Sequence, residues 1–130
     1  MNVHDPSPPG DLNRTILRGF GPLLVVVGLL GFLVPPKRSV TSGAPAYNLF
    51  HLAFGAVGIG CAARGRVAAR AFNLGFGVLD LYQAAANHRG LFPKRWFRWK
   101  PADDVLHVAV GGALVAAALS GRSAPRNGIR

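Results

Sequence analysis

Two histidines, one carboxylate and a set of side-chain amides are the residues of this chain whose types and spacing could do chemistry. His51 and His107 sit in near-copies of each other, NLFHLAFG at 48–55 and DVLHVAVG at 104–111. Each His follows a polar residue by three positions, Asn48 or Asp104, and precedes a Gly by four, Gly55 or Gly111. Two His held at one depth could ligate haem or a metal, since neutral imidazole suits both. Asp80, alone in apolar sequence, could instead mark a proton or ion path, with the His pair along it. The plainer reading is packing: Asn48 and Asp104 cap helix starts, and each His hydrogen-bonds to a facing helix.

The amides follow a helical period. Asn73, Asp80 and Asn87 recur every seven residues, and Gln83 falls on the same side. At 100° per residue the four occupy an arc of about 80°. Gly58 shares a face with Asn48, His51 and Gly55. Gly75 and Gly77 on the third helix, like Gly55, Gly58 and Gly111, are expected where backbones approach closely.

The elements that must position these groups are apolar. Half of the 130 residues are hydrophobic, and 15% are charged. Stretches 19–36, 39–63 and 105–121 hold no Asp, Glu, Lys or Arg. A helix crossing a bilayer needs roughly 20 mainly apolar residues, so 15–34, 44–63 and 104–120 read as spans. Segment 67–86 carries Asp80 near its middle and reads as a fourth span or as a helix lying in the interface.

An internal repeat favours the span. A shift of 56 residues sets Arg14 on Arg70, GFG at 19–21 on GFG at 75–77, and Pro45-Ala46 on Pro101-Ala102. It also sets His51 on His107, Gly55 on Gly111, Ala62 on Ala118 and Gly65-Arg66 on Gly121-Arg122. Segments 14–66 and 70–122 share 13 identities in 53 pairs. The expected fold is all-α: a four-transmembrane-helix bundle of two parallel two-helix repeats over 15–121. Residues 1–14 read as a disordered tail and 122–130 as a basic one.

Charge gives little orientation. Arg14, Arg18, Arg64, Arg66, Arg70, Arg122, Arg126 and Arg130 would share one face; Lys37, Arg38, Arg89, Lys94, Arg95, Arg98 and Lys100 would share the other. The short basic middle loop leans towards both termini inside, and dual topology stays open. The net charge of +10 suits anionic lipid headgroups. KRWFRWK at 94–100 has the cation–aromatic pattern of a nucleic-acid contact, but between membrane spans Trp96 and Trp99 read as interfacial anchors, and no nucleic acid is expected. Cys61 stands alone inside a span, so it implies neither a disulfide nor a zinc cluster and reads as small packing. Ser42-Gly43-Ala44 before Pro45 makes a poor signal-peptide cleavage site.

The stretches YNLFHLAFGAVGI and ADDVLHVAVGGAL resemble the second and fourth helices of an uncharacterised bacterial family of small four-helix membrane proteins. Its N-x-x-H-x-x-x-G pattern matches Asn48, His51 and Gly55. Its D-[ND]-x-L-H-x-x-x-G pattern matches Asp103, Asp104, Leu106, His107 and Gly111. RAFNLGFGVL resembles the start of its third helix. The resemblance implies the fold and a bacterial membrane address, and no activity. GxGxxG is absent, and no Ser/His/Asp constellation is recognisable. The chain reads as a multi-pass membrane protein, structural or accessory rather than enzymatic, alone as a homo-oligomer or within a larger complex. A small transporter centred on Asp80 is the alternative. No cofactor is expected; haem or a metal on His51 and His107 is the further alternative.

Overall fold

The computed structural model describes residues 11–120. Among them 83% are helical and none lies in a strand. The order is α1 (Asp11–Leu33), α2 (Pro45–Arg64), α3 (Arg66–Arg89), the single turn α4 (Lys94–Phe97) and α5 (Pro101–Ser120). Both α2 and α5 open on a proline, whose missing N–H costs nothing at a first helical position. Gly65, at φ 130°, separates α2 from α3 by one residue in a backbone conformation that side chains rarely adopt. Gly90 ends α3 in the left-handed region and returns its N–H to Ala86 O.

Three helices are long and apolar enough to cross a membrane: Leu12–Leu33, Pro45–Arg64 and Pro101–Ser120. At 1.5 Å per residue, helices of 20 residues extend about 30 Å, the thickness of a bilayer core. α3 has 24 residues, so its length suffices while its composition does not pass the same test. The start of α1 corrects the sequence expectation of a tail through residue 14. Residues 11–14 are helical, and Asn13 is buried. Residues 1–10 and the C-terminal tail at 122–130 lie outside the described residues.

α1 packs antiparallel along α2, and α3 along α5. In both pairs a glycine meets a glycine backbone across the seam. A Cβ on Gly55 would stand 2.9 Å from Gly21 O, and one on Gly111 would stand 2.7 Å from Gly77 O. Gly58 is similarly closed in by Leu17 and Phe72. Gly75 corrects the expectation for it: its α position faces open space and contacts no neighbouring helix.

Each long pair is also tied at one end by an arginine. Arg14 Nε donates to Ala62 O at 2.8 Å, and Arg70 Nε donates to Ala118 O at 2.6 Å. Ala62 and Ala118 lie in the last turns of α2 and α5, where carbonyls have no partner within their own helix. A cation there also meets the negative end of the helix dipole.

The interior is layered. At the arginine end, Leu17, Ala62 and Ala69 pack beside Asn13 and Asn73. The middle is aromatic and aliphatic, with Leu24, Phe76 and Leu114 surrounded by Phe20, Phe50, Phe54 and Phe72. At the opposite end, Ala44, Tyr47, Ala86 and Trp99 close the core among buried polar groups.

Candidate functional site

That polar end is where most of the sequence candidates meet. His51 and His107 stand on either side of Tyr47, with ring centroids 4.3 and 6.0 Å from its ring. The Tyr47 hydroxyl and His107 Nε2 share a hydrogen bond of 2.6 Å that ties α2 to α5. His107 Nδ1 is buried without a partner among the described residues. His51 differs from the expectation of a bond to a facing helix. Its Nδ1 donates to Tyr47 O, one turn back on its own helix, at 2.9 Å. With the proton on Nδ1, Nε2 of the neutral ring presents a lone pair. Residues that correspond in the sequence thus hold their rings by different bonds.

The polar stripe of α3 points inward as its spacing predicts, but it divides among three partners. Asn73 Nδ2 donates to both oxygens of Asn13 at 3.1 Å, at the far end from the His pair. Gln83 Nε2 donates to Asp80 Oδ1 at 3.0 Å, and Trp99 Nε1 donates to Gln83 Oε1 at 3.1 Å. Asn87 Nδ2 bonds both carboxylate oxygens of Asp104 at 2.9 Å, joining α3 to α5. Asp104 is therefore not a helix cap. Nor is Asn48: α2 begins three residues earlier, and Asn48 Nδ2 donates to Gly43 O at 3.1 Å.

Asp103 is the capping carboxylate. Its Oδ2 accepts the backbone N–H of Lys100 at 2.7 Å and that of Ser42 at 2.8 Å. The first bond is the reach-back of a third-position acid to the residue before the helix. The second fastens the α1–α2 loop to α5. Ser42 Oγ donates to Phe97 O, and Lys100 Nζ donates to Pro36 O and Ser39 O, knitting the same two loops.

The two tryptophans separate. Trp96 is 55% exposed and stands edge-on to Phe92, as an interfacial anchor would. Trp99 is 7% exposed and donates into the interior, which corrects its expected anchor role. The αL residue Arg98 ends the α4 turn and redirects the chain, placing the two indoles in different surroundings. Tyr47, Ser42 and Asp103 were not among the candidate site residues. Their signal was faint: Tyr47 and Asp103 occupy equivalent positions of the 56-residue shift, each one before the flagged Asn48 and Asp104.

A cleft of about 150 Å³ lies between α1 and α5, with Tyr47, His51, Asp80 and His107 at its back. Leu23 and Leu106, 54% and 48% exposed, form its lips. Asp80 is 4% exposed, and its Oδ2 has no hydrogen-bond partner among the described residues. Haem does not fit this arrangement. His107 Nε2 is engaged by Tyr47, and a cleft of about 150 Å³ takes one six-membered ring and not a porphyrin. Among the described residues no group of three His, Cys, Asp or Glu is placed to hold a metal ion.

No family model, curated protein or solved structure matches the chain.

Proposed function

We propose that the protein is a four-span membrane bundle, built from two copies of one helical hairpin, that serves as an accessory or structural membrane subunit rather than as an enzyme. The observation that carries this reading is the inverted polarity of α3. Asn73, Asp80 and Gln83 are buried against other helices, while Val67, Ala71, Gly75, Val78, Leu81, Tyr82 and Ala85 are exposed. A helix in water wears its polar face outward; one in lipid hides it among its neighbours. The mean hydropathy of α3 is low because it averages two unlike faces, while the side it presents outward is apolar.

The repeat is supported by pairs of contacts 56 residues apart. Arg14–Ala62 and Arg70–Ala118 correspond, as do Gly21–Gly55 and Gly77–Gly111. Two-span units return the chain to its starting side, so the copies share one orientation. The basic turn Arg64-Gly65-Arg66 supports both termini on the cytoplasmic face. The resemblance to the bacterial four-helix family agrees with this bundle. The polar groups serve mainly to pin helices, as in Asn73–Asn13 and Asn87–Asp104.

Native mass spectrometry of the chain extracted from its own membrane in mild detergent tests the accessory role. A complex with a second membrane protein is expected, and a chain that is monomeric throughout would contradict it.

One observation favours a second reading, a small proton- or ion-coupled transporter: Asp80 turns an unpartnered carboxyl oxygen to a cleft at one end of the bundle. In proteoliposomes carrying a pH-sensitive dye, Asp80→Asn should abolish proton-coupled flux. Undiminished flux in that variant would dismiss the reading.

A further inference from the structure

We infer that the cleft between α1 and α5 is a binding site for a lipid-soluble amine, whose ammonium group pairs with Asp80 while its apolar body lies between the two helices. The inference rests on the four-span reading, which places the mouth of the cleft against lipid.

Three features select the ligand. The first is charge. Asp80 is nearly fully buried, and among the described residues its only hydrogen bond comes from the neutral amide of Gln83 and no Lys or Arg lines the cleft. A buried carboxylate without a cation is costly, and buried charges are ordinarily paired. An ammonium group entering the cleft would supply such a pair, and Asp80 and Asp103 together would repel an acidic ligand. The lone pair of His51 Nε2 offers a second acceptor for an ammonium N–H.

Size comes second. A cavity of about 150 Å³ is large enough for one six-membered ring. Phe20 and Phe76, 5.6 Å apart and edge-to-face, form part of its wall. Aromatic faces hold a cationic or benzylic head as well as an apolar one.

Access is the third. The lips, Leu23 and Leu106, are both exposed aliphatic side chains. An amine carried on an alkyl chain arrives from the bilayer and leaves its tail there.

The protein in phosphatidylcholine nanodiscs is titrated with para-octylbenzylamine and with its neutral analogue para-octylbenzyl alcohol. A Trp96→Phe background makes Trp99 the reporter, because Trp99 reaches Asp80 through Gln83. The amine should give a saturable change in Trp99 emission that the alcohol does not. Asp80→Asn should weaken amine binding about tenfold or more, and Asp80→Glu should keep most of it. Leu106→Trp in a Trp99-independent binding assay, such as equilibrium dialysis of radiolabelled amine, should close the mouth and give the same loss even if Asp80→Asn does not fold. Equal responses to amine and alcohol, or unchanged affinity in both variants, would overturn the inference. Failure here with both ends of α3 found on opposite membrane faces removes the site alone; both ends on one face removes the four-span reading itself.

Discussion

Arg70 reaches from the first turns of α3 to the carbonyl of Ala118 in the last turn of α5, 2.6 Å away. Arg14 and Ala62 make the corresponding bond between α1 and α2 at 2.8 Å. In each hairpin the cation of the first helix satisfies a carbonyl that its partner helix leaves unpaired. The glycine-on-glycine contacts, Gly21–Gly55 and Gly77–Gly111, lie two helical turns further along the same seams.

If these bonds do equal work, Arg14→Met and Arg70→Met should destabilise the protein by similar amounts, about 1–2 kcal/mol each. Unfolding in detergent measures both. A large loss at one position with none at the other would show the two hairpins to be unequally held.

Tyr47→Phe deletes the only side-chain bond to His107 among the described residues and leaves both ring nitrogens without partners there. The expected cost is about 1 kcal/mol, in the range of interhelical hydrogen bonds within membranes. A double-mutant cycle with His107→Leu should recover a coupling of that size. His51 holds to a backbone carbonyl, so Tyr47→Phe should not release it.

Glycine substitutions separate contact positions from outward-facing ones. Gly111→Ala drives a Cβ against Gly77 O and should cost about 1–3 kcal/mol. Its neighbour Gly112 has open space, so Gly112→Ala should be neutral or stabilising by up to about 1 kcal/mol. Melting temperatures of the two variants should therefore move in opposite directions or differ sharply.

The indoles give a spectroscopic check. Trp96→Phe, which leaves Trp99, should emit further to the blue and resist acrylamide quenching better than Trp99→Phe. Gln83→Leu removes the acceptor of Trp99 Nε1 and should alter the emission of the first variant.

Much of this was legible in the sequence because helical period and charge-free runs are strong signals. The three apolar helices were read within a few residues of their ends, and the inward stripe of Asn73, Asp80, Gln83 and Asn87 followed from spacing alone. What spacing could not supply was the partner of each side chain. Asn48 and Asp104 look like caps because they precede apolar runs, yet Pro45 and Pro101 had already begun those helices. Trp99 looks like Trp96 in a basic aromatic run, and the turn at Arg98 separates them. Gly75 lies two residues from Gly77, a rotation of about 200° on a helix, which puts it on the outer face.

The four-span reading depends most on α3, and a double-cysteine variant tests it directly. In a Cys61→Ala background, Arg66→Cys and Arg89→Cys place one exposed thiol at each end of that helix. Intact membrane vesicles are treated with a membrane-impermeant maleimide, and the labels on each chain are counted by mass spectrometry. A helix that crosses the bilayer yields one label per chain before permeabilisation and two after it, whichever way each molecule is inserted. Chains carrying two labels or none before permeabilisation would put both ends of α3 on one face and contradict the four-span bundle.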